Sequence, residues 1–159
     1  MSGLFKMVVV LYNLTFLEST TITSLNKLLA SGSFPEITEV LIFDNSSESN
    51  IPSRLEQRFS YYHSGENVGL ARAYNYALEQ INPAVEWLVT LDQDTVISRE
   101  YLNELIVKAS KLPKTVVAIA PIIKDQQQQI SPVRSDTLRP LHKPLPKSDH
   151  TYSQDIMVI

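Results

Sequence analysis

A short apolar segment that ends in two acids one residue apart constrains this chain more than any other feature. The segment Trp87–Leu91 is followed by Asp92, Gln93 and Asp94. An apolar segment of this length is typical of a strand that is buried in a sheet. Side chains alternate along an extended backbone, so we expect both carboxylates to point to the same side. A divalent cation would relieve their repulsion, and magnesium and manganese prefer oxygen ligands.

The two acids alone leave another interpretation open, because aspartate also begins turns at the ends of strands. The rest of the chain has to decide between a metal site and a simple turn.

Apolar segments alternate with amphipathic segments over most of the chain. Strands are predicted at Lys6–Tyr12, Glu39–Phe43, Phe59–Ser64, Trp87–Leu91 and Val116–Ala120. Helices are predicted from the capping-box pair Thr15 and Glu18 to Gly32, at Leu70–Ile81, and at Arg99–Lys111 after a Ser98 cap. This alternation predicts an α/β fold with a mostly parallel, doubly wound sheet flanked by helices.

Polar residues follow three of these predicted strands. They are Tyr12–Asn13, Asp44–Asn45 and Asp92–Asp94. Sheets of this kind bind ligands beyond the carboxyl ends of their strands. The sequence therefore predicts one ligand site shared by three strand ends.

Composition excludes several other classes of site. The chain of 159 residues has no cysteine, so disulfides and thiol catalysis are excluded. Its net charge of −3 gives no indication of nucleic-acid binding. No Gly-x-Gly-x-x-Gly or P-loop motif is present, and the three histidines are scattered. No segment resembles a signal peptide or approaches the ~20 apolar residues of a transmembrane helix.

The composition changes after Pro121. We interpret Ile122–Ser153, with its glutamine run and several prolines, as mostly irregular with room for a hairpin. Ile156–Ile159 is typical of the beginning of another strand. A strand that begins there suggests a truncated chain, and a natural terminal edge strand is the alternative.

Four motifs occur in order along the first part of the chain. They are Val-Val-Val-Leu-Tyr-Asn (8–13), Asp-Asn-Ser-Ser (44–47), Glu-Asn-Val-Gly-Leu-Ala-Arg-Ala-Tyr-Asn (66–75) and Leu-Asp-Gln-Asp-Thr (91–95). This set resembles family 2 glycosyltransferases, and most closely the rhamnosyltransferase-like members. The resemblance implies a GT-A (Rossmann-like) fold and an inverting transfer from a nucleotide-diphosphate sugar to a surface-polysaccharide or lipid-linked acceptor.

The resemblance also implies roles for single residues. Asp94, together with Asp92 near the donor ribose, would hold Mn²⁺ or Mg²⁺. Asp44 would accept a hydrogen bond from a pyrimidine base that is lined by the loop at Tyr12 and Asn13. The remaining expected donor-site residues are Asn67 and Gly69 in a turn, Arg72 near the diphosphate, and Asn75 as a brace. The alternatives are a core aromatic for Tyr12, an Asx turn for Asp44 and a solvated helix face for Arg72.

By the same resemblance, residues 1–121 are the nucleotide-sugar-binding half, and residues 122–159 lead into an incomplete acceptor half. The catalytic general base is expected beyond Ile159. The full-length protein is expected in the cytoplasm, with peripheral association at the inner face of the membrane as an option.

Two rival functions stay open. Asp92, Asp94 and Val96 also fit the signature of haloacid-dehalogenase-like phosphatases, in which the first aspartate is the nucleophile. That motif normally follows the first strand, whereas here it follows the fourth predicted strand. The second rival is a non-catalytic fragment that binds the donor.

Overall fold

A computed structural model describes residues 3–30, 32–52, 54, 56–116, 119, 123–125, 128–131, 133–134 and 156–157. The chain divides into two compact units, Met1–Ser110 and Lys111–Ile159. Each unit is described by itself.

The first unit is a parallel sheet with three helices. Its elements in chain order are β1 Leu4–Leu11, α1 Thr20–Leu29, β2 Ile37–Asp44, β3 Phe59–His63, α2 Leu70–Glu79, β4 Val85–Leu91 and α3 Arg99–Ala109. The four strands are all parallel in the order β3-β2-β1-β4. This arrangement confirms the predicted α/β fold class.

The two central strands are buried on both faces, as their continuous apolar sequence predicts. On one face Val8 and Val10 of β1 and Leu41 and Phe43 of β2 pack with the small residues of α2. On the opposite face the alternating residues of β1, such as Val9, have no exposed surface. The core of this unit therefore lies around β1 and β2, and the loops beyond their carboxyl ends start from fixed positions.

The first helix begins later than the capping-box signature predicts. Glu18 does accept hydrogen bonds from the backbone N–H and hydroxyl of Thr15, both at 2.8 Å, but this pair closes a separate turn. The N-cap of α1 is Ser19, whose hydroxyl accepts a hydrogen bond from the backbone N–H of Ile22. The predicted start was wrong because the loop contains two possible capping residues, Thr15 and Ser19, and the helix begins after the second one.

A buried lysine joins several elements at the middle of the sheet. Lys6 of β1 is 1% exposed, and its Nζ lies 3.1 Å from a carboxylate oxygen of Glu39 on β2. The same ammonium group donates to the carbonyl of Gln80, which ends α2. A buried charge needs such partners, and here they fix the far end of α2 against the sheet.

The second unit contains short antiparallel strands. Strand β5 (Ile123–Asp125) pairs with β6 (Gln128–Ser131), so the hairpin for which the sequence left room is present. Strand β7 (Val133–Arg134) pairs with β8 (Ile156–Met157), inside the predicted terminal strand.

The predicted fifth strand, Val116–Ala120, falls mostly on residues outside the described ranges, and so does the predicted boundary at residues 121 and 122. Both stay predictions. Among the described residues, no helix has the length and apolar character needed to cross a bilayer.

Candidate functional site

The carboxyl ends of three neighbouring strands meet at one edge of the sheet. Leu11 of β1 is paired with Asp44 of β2, and Val9 of β1 is paired with Leu91 of β4. Beyond the strand ends lies an open cavity of about 480 Å³. Its lining residues are Val10, Tyr12, Asn45, Asn67, Gly69, Leu70, Asp92, Gln93 and Asp94. Five of the residues predicted for the donor site therefore share one cavity.

The two acids after β4 reach this cavity through a turn and not through an extended strand. Strand β4 ends at Leu91, and Gln93 and Asp94 are in a turn conformation. The alternation argument for Asp92 and Asp94 was therefore wrong about the backbone. Both side chains are nevertheless exposed and line the same cavity.

Helix α1 fixes the backbone of this turn through two buried hydroxyl groups. The Ser19 hydroxyl donates to the carbonyl of Gln93 at 2.7 Å. The Thr21 hydroxyl lies 2.5 Å from the carbonyl oxygen of Asp92 and accepts a hydrogen bond from the backbone N–H of Thr95 at 2.9 Å. Ser19 and Thr21 have no exposed surface. The positions of both acids are therefore set by the first turn of α1.

The side chain of Gln93 connects the turn to the end of β1. Its Oε1 accepts a hydrogen bond from the backbone N–H of Tyr12 at 2.8 Å, and its Nε2 donates to the Tyr12 carbonyl at 3.4 Å. The side-chain amide thus continues the pairing of β1 and β4 one residue past the strands. Tyr12 is 46% exposed, so the structure does not place it in the core as the alternative interpretation required.

Asp44 differs from the other two acids because it is fully buried and does not line the cavity. One carboxylate oxygen accepts from the backbone N–H of Ser46 at 2.9 Å. The other accepts from the hydroxyl of Tyr61 at 2.6 Å and from the backbone N–H of Asn50 at 3.1 Å. The contact with Ser46 is the Asx turn of the alternative interpretation. A contact between Asp44 and a base stays a prediction.

These contacts also set the charge of Asp44. Burial raises the pKa of this carboxyl group, but the hydrogen bonds from Ser46, Tyr61 and Asn50 outweigh burial and hold the pKa below its usual range. Asp44 is therefore an anion whose hydrogen bonds fix the loop that follows β2.

That loop in turn supports the residue after Tyr12. The hydroxyl of Ser46 accepts a hydrogen bond from the backbone N–H of Asn13 at 3.0 Å. Asn13 has a φ of 54°, a left-handed conformation that asparagine adopts more readily than most residues. The sequence indicated a turn at Asn13, and the contact with Ser46 shows what holds it.

The amino end of α2 forms another wall of the cavity. The side chain of Asn67 accepts a hydrogen bond from the backbone N–H of Gly69 at 3.0 Å. Gly69 is the N-cap with a φ of 81°, which favours glycine, and no side chain of the described residues caps the helix. The free N–H groups and the helix dipole make this end of α2 favourable for an anion.

The structure does not bring Arg72 and Asn75 into the cavity lining. Both side chains are exposed on α2, and neither makes a hydrogen bond or ion pair with another side chain in the described part of the chain. For Arg72 this matches the solvated helix face that was its alternative interpretation.

The sequence assigned no individual role to four residues of the site, although two of them lie among the polar residues noted at the strand ends: Ser19, Thr21, Asn45 and Gln93. Ser19 and Thr21 are distant in sequence from the turn that they hold. Asn45 and Gln93 lie inside two of the quoted motifs, and their positions between strand end and loop were the only signal for them.

The acids at the cavity suit a hard divalent cation. Asp92 and Asp94 offer two exposed carboxylates on one wall, and magnesium or manganese usually completes its shell with water and substrate phosphates. No group of three or more histidine or acidic side chains that could hold a metal occurs within the described ranges. The charge of Asp92 also acts on Tyr74 of α2, whose pKa is raised first by burial and then by this charge.

Comparison with known proteins agrees with this architecture. The chain is 34% identical over 67 residues to an uncharacterized protein of Haemophilus influenzae, and the matched part is 37% of this chain and 35% of that protein. The chain thus spans about a third of the length of that curated relative. The model of glycosyl transferase family 2 matches residues 7–156, and the parallel sheet flanked by helices is a GT-A-like fold. The chain therefore belongs to glycosyl transferase family 2.

Proposed function

We propose that this chain binds a nucleotide-diphosphate sugar as the donor for inverting glycosyl transfer. The observation that supports this most directly is the cavity at the carboxyl ends of β1, β2 and β4, which has two exposed acids on one wall and the uncapped end of α2 on another. Both kinds of wall suit a diphosphate, because it is an anion and it binds divalent cations.

Asp94 and Asp92 would hold Mn²⁺ or Mg²⁺ in this proposal. The cation would neutralise charge on the diphosphate and so stabilise the leaving nucleotide. Tyr12, exposed at the cavity, offers an aromatic face for the base. Asn67 and Gly69 shape the amino end of α2, where the backbone N–H groups favour the phosphates.

Isothermal titration calorimetry with UDP and TDP, each with and without manganese, tests the proposal. We expect the metal to tighten binding by about tenfold or more, a difference of about 1.4 kcal/mol. Asp94→Asn should abolish that gain. Glu104→Gln removes one charge from an exposed carboxylate on α3 outside the cavity and should leave it unchanged. Equal binding with and without metal in the unaltered protein would contradict the proposed site.

The finer parts of the proposal rest on the motif resemblance. We propose rhamnose as the first sugar to test, and a surface polysaccharide or a lipid-linked glycan as the acceptor. Transfer would take place in the cytoplasm, with the protein associated peripherally with the inner face of the membrane. Transfer assays of labelled sugar from TDP-rhamnose and UDP-linked sugars would separate these options.

No observation favours the phosphatase alternative. It would require the carboxylate of Asp92 to act as a nucleophile, and phosphate release lost in Asp92→Asn would be its signature. A fragment that binds the donor without transferring sugar would instead show metal-dependent binding of nucleotide and no turnover.

A further inference from the structure

One hydroxyl group of α1 holds both ends of the turn that carries the two acids. The Oγ1 of Thr21 lies 2.5 Å from the carbonyl oxygen of Asp92, where the turn begins, and 2.8 Å from the carbonyl oxygen of Thr95, where it ends. The same oxygen accepts the backbone N–H of Thr95 at 2.9 Å. A hydroxyl has one proton and two lone pairs, so the two carbonyls share the proton and the N–H occupies a lone pair. The contacts therefore depend on a hydroxyl at this position.

The contacts between α1 and the turn are made by backbone atoms of the turn. Thr21 is fully buried and is not among the residues that line the cavity. The carbonyl of Gln93, between the two acids, accepts from the hydroxyl of Ser19 at 2.7 Å. The side chains of Asp92 and Asp94 are exposed on the cavity side. Helix α1 thus fixes the positions from which both carboxylates start without occupying their oxygens.

A turn held at both ends limits how far its two carboxylates can move apart or together. Magnesium requires near-ideal octahedral geometry with short bonds to oxygen, whereas calcium accepts a variable number of oxygen ligands in a flexible arrangement. Selectivity between these cations therefore depends on how rigidly the protein holds its ligands. Residues that orient metal ligands without touching the metal affect its affinity strongly.

Resting on the proposed function above, we propose that Thr21 is a positioning residue that sets the selectivity of the cation site at Asp92 and Asp94 for magnesium over calcium. It acts through the backbone of the turn and touches neither cation nor nucleotide. Loss of its hydroxyl leaves the acids in place but frees both ends of the turn. A flexible pair of carboxylates still suits calcium and is a poorer site for magnesium.

Calorimetric titration with UDP in saturating magnesium, in saturating calcium and in EDTA tests the proposal. We expect the unaltered protein to bind UDP more tightly in magnesium than in calcium. Thr21→Val keeps the shape of the side chain and removes the hydroxyl, so the affinity in magnesium should fall by about tenfold. The affinity in calcium should fall less, and the affinity in EDTA should stay the same. The ratio of the dissociation constants in calcium and magnesium therefore falls towards one.

Two further variants show whether the hydroxyl of Thr21 is responsible. Thr21→Ser keeps the hydroxyl and loses only a methyl group, so it should keep the magnesium preference of the unaltered protein. Thr23→Val makes the same change as Thr21→Val at another position of α1, where the hydroxyl donates to the carbonyls of Ser19 and Thr20 at 2.9 and 3.2 Å. It should also keep the preference.

Circular dichroism establishes that each variant is folded. If Thr21→Val is unfolded, Thr21→Cys replaces it, because a thiol keeps a weak donor in a similar shape. Its ratio should lie between those of Thr21→Ser and one.

An unaltered protein that binds UDP equally well in magnesium and calcium, but better than in EDTA, would overturn the inference and leave the proposed function standing. The inference also fails if removal of the hydroxyl weakens binding by the same factor in all three buffers, which is the result expected of a purely structural residue. Failure of the proposed function gives another result, because the unaltered protein would then gain no affinity for UDP from either metal.

Discussion

Strands β2 and β4 of one sheet both lead into aspartate, yet the carboxylates at the two ends have opposite surroundings. Asp44 at the end of β2 is fully buried and accepts hydrogen bonds from Ser46, Asn50 and Tyr61. Asp92 and Asp94 after β4 are exposed at the cavity. The acid at β2 therefore stabilises a loop, and the acids at β4 keep their oxygens available to a ligand.

An aspartate at the end of a strand can stabilise a loop or face a ligand site, depending on what surrounds it. At β2 the protein itself supplies the donors, and the pKa of the carboxyl group falls as a result. At β4 hydroxyl groups of α1 bind the backbone of the turn, which leaves the acidic side chains out of the network. Substitution of Asp44 should therefore lower the free energy of unfolding, whereas substitution of Asp92 or Asp94 should weaken ligand binding.

The largest expected effect on stability is that of Asp44→Ala. The substitution leaves the N–H groups of Ser46 and Asn50 and the hydroxyl of Tyr61 without their acceptor, so the free energy of unfolding should fall by about 3 kcal/mol. Asp94→Ala should change it by less than about 0.5 kcal/mol. Urea denaturation of both variants measures the difference, and equal losses would remove the distinction between the two strand ends.

A smaller loss is expected from Thr21→Val, which keeps the shape of the side chain and removes its hydroxyl. The carbonyl of Asp92 and the N–H of Thr95 then lose a partner, at a cost of about 2 kcal/mol. Thr23→Val on the same helix is the control, because within the described ranges the Thr23 hydroxyl binds only the nearby carbonyls of Ser19 and Thr20. Unchanged urea midpoints for Thr21→Val would show that the turn does not depend on α1.

Lowering the pH should reduce the free energy of unfolding by less than the substitution Asp44→Ala does. The pKa of Asp44 is lower in the folded protein than its ordinary value of 3.8, so the unfolded chain binds the proton more readily. The stability that Asp44 contributes is therefore fully present above this ordinary value and is lost as the pH falls through the lower folded pKa. Urea midpoints measured across acidic pH should fall more steeply for the unaltered protein than for Asp44→Asn, and parallel curves would contradict the assignment.

The smallest effect on stability is expected from Gln93→Met, which removes both hydrogen bonds to Tyr12. These bonds lie at the open cavity, so the free energy of unfolding should fall by only about 0.5–1 kcal/mol. Affinity for UDP in manganese should fall further than stability does, because Tyr12 loses its fixed backbone. Gln57→Met, at an exposed glutamine outside this cavity, provides the control for both measurements.

The parallel sheet could be predicted from the sequence because the apolar segments of its central strands are continuous. β1 and β2 are mostly buried on both faces, and their apolar runs Met7–Leu11 and Val40–Phe43 contain no polar residue. The predicted strand ends, and hence the shared edge, followed from that pattern.

The details of the site did not follow from the sequence because they depend on contacts between distant segments. Asp44 and Asp92 carry the same side chain after similar apolar segments, and the hydrogen bonds from Ser46, Asn50 and Tyr61 are what make Asp44 structural. The start of α1 was mispredicted because Thr15 and Ser19 are both good capping residues, and local pattern cannot rank them.

The hydrogen bonds from Ser19 and Thr21 to the turn after β4 join residues 71 to 74 positions apart. Closing so long a segment is slow relative to forming a helix, so β4 has to reach the sheet before these bonds can form. A chain that has folded only through β3 lacks the acidic wall of the cavity altogether. If nucleotide binds at this cavity as proposed, binding should appear only after β4 has joined the sheet, and bound nucleotide should stabilise the folded state against unfolding.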